Sequence, residues 1–206
     1  MPLMRGTWFE GFRLLATLCL LLLTASIGLA AARDFDVDGV RMVIRFTARS
    51  SLVLFCLAFS AGALFSLSPN LWSRWQRRNR RELGLAFVVS HVIHAIGIAL
   101  FATMDPDGFA AATSRASFLF GGLGYLAIAV MAVTSFDRAQ SLLGPPAWRA
   151  LHLAGGYYLL AQFMVSFGMR VPAMPLYSLF LVLPLAVLAL RLTAMAARKP
   201  HAVQSG

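Results

Sequence analysis

Acidic side chains are scarce: the 206-residue chain has eight Asp and Glu against 18 basic residues, and none of the eight lies deep in a long apolar run. Charged residues of both signs make up 13% of the chain, about half the ~25% usual in soluble domains, which argues against a water-soluble enzyme. Lysine is nearly absent, with Lys199 the single one and Arg supplying the rest. Cysteine is limited to Cys19 and Cys56, both inside apolar stretches, so they read as small core residues rather than a disulfide or thiolate metal framework. The sequence has no internal repeat, no low-complexity tract and no glycine pattern for a nucleotide. The segments between apolar runs are too short for an extramembrane catalytic domain.

What is abundant is apolar sequence, 59% of residues with a mean hydropathy of +0.75. Six apolar segments stand out: Phe12–Ala32, Ser50–Ser68, Leu83–Met104, Ser114–Ser135, Trp148–Met169 and Met174–Ala196. Each is near the ~20 residues with which a helix crosses ~30 Å of hydrocarbon. Helix is the default because lipid offers backbone groups no partner. Breakers separate the segments at Pro69-Asn70, Asp105-Pro106-Asp107-Gly108, Gly144-Pro145-Pro146 and Pro172. The expectation is an all-α, integral membrane six-helix bundle, a single transmembrane domain over residues 1–206. Arg5 and Arg13, Leu14–Leu29 and Ala30-Ala31-Ala32 also have the form of a cleavable signal. We read that segment as an uncleaved first helix.

With the N-terminus placed inside, one side carries Arg5, Arg13, Arg74, Arg77, Arg78, Arg80, Arg81, Arg138, Arg149, Arg191, Arg198 and Lys199. The other carries Arg33, Arg41, Arg45, Arg49, Arg115 and Arg170 beside five Asp. Basic residues favour the cytoplasmic side, so both termini are expected there. Trp8, Trp72 and Trp75 read as interfacial anchors.

His91, His94 and His152 fall within spans, whereas His201 sits in the polar tail. Ionisable residues inside a span are functional hypotheses by default, against the plainer reading of interhelical hydrogen bonds. Three histidines on two helices suit a haem, whose iron takes one axial imidazole from each face. His91 and His94 are one turn apart on one face, so they cannot both be axial ligands of one iron. A divalent cation in lipid would want carboxylates or thiolates, which the spans lack. Matching depths along the third and fifth spans sets His152 opposite His91. Arg41, Arg45 and Arg49 share a helix face, either as a solvated helix end or with Arg45 and Arg49 on haem propionates. Gly155-Gly156 beside Tyr157-Tyr158, and Gly121-Gly122 with Gly124, permit close approach of a helix or a flat macrocycle.

Arg80-Arg81-Glu82-Leu83-Gly84-Leu85 with His94, Trp148-Arg149-Ala150-Leu151-His152, and Ile44-Arg45-Phe46-Thr47 together resemble the ferric reductase-like transmembrane family over about residues 35–170. The likeness is strongest to its branch of haem-binding membrane subunits in bacterial methionine sulfoxide reductase systems. It implies a six-helix bundle that binds b-type haem and passes electrons across a bacterial inner membrane. The family's histidines about thirteen residues apart are only half present: Val165 follows His152 at that distance and Arg81 precedes His94. One haem rather than two is therefore expected, with Met164 a minor candidate ligand. The resemblance favours His94 and depth favours His91. His91, His94 and His152 are thus the candidate iron ligands, and Arg45 and Arg49 the candidate propionate partners. A redox partner protein or a quinone is the expected electron source, the lipid bilayer the surroundings, and nucleic acid is not an expected partner. The remaining readings are a non-redox assembly subunit with structural histidines and a small metal or haem transporter.

Overall fold

The computed structural model describes residues 10–197, and every described element is a helix. In chain order these are α1 (Gly11–Ala31), α2 (Val37–Leu67), α3 (Leu71–Arg78), α4 (Arg80–Met104), α5 (Pro106–Ala112), α6 (Arg115–Val133), α7 (Asp137–Leu143), α8 (Pro145–Gly168) and α9 (Tyr177–Ala196). The fold is an all-α membrane bundle, and its six long helices correspond to the six apolar segments. Arg5, Trp8, Arg198, Lys199 and His201, used above for orientation and anchoring, lie outside the described residues.

Five of the long helices, α1, α2, α4, α6 and α9, are long and apolar enough to cross a membrane. The sixth, α8, has 24 residues, about 36 Å of helix, but His152, the Gly155-Gly156 and Tyr157-Tyr158 pairs and Gln162 dilute its apolar character. The largest departure from the sequence reading is α2, which begins at Val37 rather than Ser50. Its first half mixes Arg41, Arg45 and Arg49 with Val40, Val43 and Ile44, so hydropathy misses it although helical periodicity holds. Asp36 caps this extension by accepting from the Gly39 amide at 2.7 Å. Three connections also hold short helices. Asn70 and Ser73 form a reciprocal capping box that starts α3. Asp105 caps α5, and Pro106 occupies its first turn, where a missing N–H costs nothing. Gly144, at φ 76°, makes the left-handed turn that lets α7 end and α8 begin on Pro145.

Helix α2 is the hub, packing most extensively on α4 and also against α1, α3 and α9, while α8 joins α6 to α9. Leu52, Phe55 and Cys56 of α2 meet Leu83, Ala86 and Phe87 of α4 and Leu159, Leu160 and Phe163 of α8 in the core. Outside it, Leu20, Leu21 and Ile27 of α1, Val92 and Ile96 of α4, Phe118 and Leu126 of α6, and Leu179 and Val182 of α9 are exposed. So broad an apolar surface is a lipid-facing belt, and the chain is a multi-pass membrane protein.

Cross-contacts define the two ends. At one, Arg78 meets Glu10 at 3.5 Å, the Gly11 amide donates to Asn79 Oδ1 at 2.9 Å, and Arg81 meets Asp137 at 3.4 Å. This arginine-rich end gathers the start of α1, the end of α2, α3, the start of α4 and α7. At the opposite end Arg41 lies over Phe101, 5.3 Å from the ring centre, and Phe101 packs on Phe109 of α5.

Candidate functional site

The closest meeting of helices is a polar seam between α2 and α4. Thr47, Ser51 and Ser90 are completely buried. Ser90 Oγ receives a hydrogen bond from Ser51 at 2.9 Å, shares one with Ser50 at 2.8 Å, and donates to the Thr47 carbonyl at 3.2 Å. Small hydroxyl side chains let two backbones approach while satisfying each other in an apolar medium. Gly97 extends the seam: a Cβ there would stand 2.9 Å from Ile44 Cγ1, so only glycine permits this spacing.

His94 sits on this seam one turn beyond Ser90. Its Nδ1 lies 3.0 Å from the Ile44 carbonyl and 3.1 Å from Thr47 Oγ1. A carbonyl only accepts, so Nδ1 carries the proton and donates to it. The Thr47 hydroxyl spends its own proton on the Val43 carbonyl at 2.7 Å and therefore also accepts from His94. Helix α2 thus fixes the tautomer and leaves Nε2 as a bare lone pair. Metal-ligating histidines are held in this manner, with the second ring nitrogen on a backbone carbonyl.

His91 lies one turn toward the arginine-rich end. Its ring centre is 5.2 Å from that of Phe87, 5.4 Å from His94, 5.1 Å from Tyr125 and 6.1 Å from Phe163. Its Nδ1 and the neighbouring Tyr125 hydroxyl are both buried without a hydrogen-bond partner. Unpaired polar atoms at such depth are costly, so two side by side mark a place that a polar ligand would satisfy.

His152 is elsewhere. Its ring stacks on Trp148 at 4.3 Å, and Nε2 lies 3.1 Å from Thr134 Oγ1 at the end of α6. The Thr134 proton goes to the Val130 carbonyl at 2.7 Å, so Nε2–H of His152 is the donor and Nδ1 is left bare. Trp148 Nε1 also donates to the Thr134 carbonyl at 2.8 Å. Helix α8 faces His91 with Phe163, eleven residues and roughly 16 Å of rise beyond His152. At the level of Trp148, α4 presents Arg80, whose guanidinium is 5.7 Å from that ring centre. The structure therefore brings His91 and His94 together and sets His152 near the arginine-rich end. Depth matching paired His152 with His91 because it took both helices to start level. Among the described residues no three His, Cys, Asp or Glu side chains converge as a metal site.

The arginine stripe of α2 fans out as the helix rotates. Arg41 turns toward α4, Arg45 is exposed, and Arg49 reaches over Phe180 at 5.1 Å and Tyr177 at 5.6 Å of α9. Arg49 Nε is buried with no hydrogen-bond partner. Ser50, next to Arg49, bonds Ser90, next to His91, so Arg49 and His91 lie at one level of the bundle. Met164 packs partly buried against the core, while Val165 points outward with 56% of its surface exposed.

A haem asks for an unengaged imidazole nitrogen, an apolar wall and cations for two propionates. The residues around His94 and His91 fit that demand: His94 Nε2 is bare, Phe87 and Phe163 pack around His91, and Arg45 and Arg49 have no acidic partner among the described residues. The sequence reading missed the seam that prepares His94. Its signal was present as Thr47, Ser50 and Ser51 in one span and Ser90 with His94 four residues on in another.

The family model described as ferric reductase like transmembrane component matches residues 46–164, which include Thr47, Ser50, Ser51, Ser90, Tyr125 and the three histidines His91, His94 and His152. No match is found among curated proteins.

Proposed function

Because the chain belongs to the ferric reductase-like transmembrane family, we propose that its membrane electron-transfer role is carried by a b-type haem seated at His94. The observation that supports this most is the double hydrogen bond on His94 Nδ1, which leaves Nε2 free and oriented. In this reading His94 would hold the haem iron through its free Nε2. His91 and Tyr125 line the pocket with unpaired polar atoms, and Arg45 and Arg49 neutralise the propionates near the end of the bundle opposite α3. The haem supplies one-electron chemistry when bound. The chain's residues hold its orientation, exclude water with Phe87 and Phe163, and set the charge around it. In this reading electrons come from a reductase or a quinol and leave toward an acceptor beyond the arginine-poor end. That direction follows from placing the arginine-rich end in the cytoplasm of a bacterial cell.

His152 has a second reading, which its surroundings favour. Its hydrogen bond to Thr134 and its stacking on Trp148 account for its position as a tether between α8 and the end of α6. A visible spectrum of the purified protein tests both. A Soret band with sharp reduced α and β bands that disappears in His94→Ala supports the haem at His94, and a colourless wild-type protein refutes it. Equal haem loss in His152→Ala would restore His152 as a ligand and overturn the tether. A reporter fused after Gly206 that is active in the cytoplasm and silent in the periplasm checks the orientation.

A further inference from the structure

At the arginine-rich end, α3 carries a feature that the electron-transfer reading does not use. Its inward side is fastened: Ser73 and Gln76 are buried, and Gln76 Nε2 donates to the Leu57 carbonyl at 2.7 Å and to Ser60 Oγ at 2.8 Å. At 100° per residue this directs Leu71, Arg74, Trp75 and Arg78 away from the bundle. Trp72 and Trp75 stack at 4.9 Å, and with Leu71 and Leu14 of α1 they line an apolar groove of about 510 Å³. Leu71 is 85% exposed and Trp72 55% exposed. Arg74 has no acidic partner among the described residues, whereas Arg78 is shared with Glu10 at 3.5 Å. Arg77 points elsewhere, over Phe65 at 4.4 Å.

We propose that the groove between α1 and α3 is a binding site for one anionic glycerophospholipid, with an acyl chain against Leu14, Leu71, Trp72 and Trp75 and its phosphate between Arg74 and Arg78. Charge and continuity both select this occupant. An apolar slot beside guanidiniums matches a molecule that is a hydrocarbon chain at one end and a phosphodiester at the other. The slot adjoins α1, whose exposed Leu20, Leu21 and Leu23 continue the lipid-facing belt, so a chain enters it from the bilayer. Paired tryptophans beside it have the side-chain type that settles at headgroup depth. The fastened inner side of α3 holds the groove open in advance, so little ordering cost is left to binding.

The test uses the full-length protein with Trp8→Phe and Trp148→Phe, so that Trp72 and Trp75 are the only indole reporters. It is reconstituted with phosphatidylglycerol or phosphatidylcholine brominated on the acyl chain, at equal mole fraction. Brominated phosphatidylglycerol should quench the two tryptophans more strongly. Arg74→Gln with Arg78→Gln should reduce that preference by about fivefold per arginine. Arg138→Gln, an exposed arginine on α7 at the same end, should leave it unchanged. Circular dichroism of each variant reports an intact helical fold. Equal quenching by the two lipids, or an equal loss in Arg138→Gln, overturns the site. Reversal of quenching by inorganic phosphate would show a phosphate site without an acyl chain and overturns it as well.

Discussion

His94 and His152 are both imidazoles in apolar helices, both accounted for by hydrogen bonds, and held in opposite senses. His94 gives its Nδ1 proton to α2 and keeps Nε2 bare. His152 gives its Nε2 proton to Thr134 and keeps Nδ1, the nitrogen nearer its own backbone. A ligand approaching from a neighbouring helix reaches Nε2 more readily, since that nitrogen stands at the far edge of the ring. The same side chain is thus left with a bare Nε2 in one place and a bare Nδ1 in another, the basis for proposing a ligand in the first and a tether in the second, and the neighbouring helix makes the difference.

The sharpest way to break this comparison is to remove each imidazole. His94→Ala should lose essentially all bound haem, whereas His152→Ala should keep most of it, read as haem per protein from the visible spectrum of purified samples. Next in size is the charge near His94. Arg45→Gln with Arg49→Gln should weaken haem binding by about two to four decades, taking roughly 1.5–3 kcal/mol per charge-assisted bond. Arg41→Gln, which turns to Phe101 instead, should cost less, and titration of haem into the apoprotein separates the three positions. Equal and negligible losses at all three would reduce the stripe to a solvated helix end.

Smaller effects probe the seam that separates the two histidines. Gly97→Ala pushes on Ile44, whose carbonyl holds His94, and should destabilise the fold by about 1–3 kcal/mol as overpacking does. Thermal unfolding in detergent measures that loss, and a haem band broadened in the same variant links it to His94. Thr47→Val removes one acceptor from His94 Nδ1 and leaves the Ile44 carbonyl. It should cost about tenfold in haem affinity, the lower end of what second-layer partners contribute. Thr134→Val, the matching change at His152, should leave haem affinity where it was. A loss there equal to that in Thr47→Val would erase the distinction.

How much of this was legible beforehand depends on scale. The six long helices were readable because each contains a continuous apolar run of about twenty residues, most of them followed by a breaker, and hydropathy averages over the whole run. The start of α2 was not, because Val37 to Arg49 alternates charged and apolar residues at helical spacing, and average hydropathy treats that as a connection. The short helices α3, α5 and α7 escaped for the same reason, although Asn70-Leu71-Trp72-Ser73 spelled out a capping box. Among the site residues, the histidines were found because imidazoles are rare and costly in apolar spans. The serines and threonine of the seam were passed over because such residues also occur singly in membrane helices without a partner.

By itself the sequence determined the all-helical class, the membrane, the two ends by their arginine content, and the short list of candidate site residues. These are properties of single segments, set by the free energy of moving apolar and charged groups between water and lipid. Only the tertiary structure showed that α2 engages Nδ1 of His94 while Nδ1 of His91 stays unpaired, and only it separated His152 from both. Those outcomes depend on which carbonyl or hydroxyl a neighbouring helix presents at a given height. Register between helices follows from the packing of Ser90 into Thr47 and Ser51 and of Gly97 against Ile44, contacts between residues forty or more positions apart in the chain, or nearly so, that no local pattern encodes.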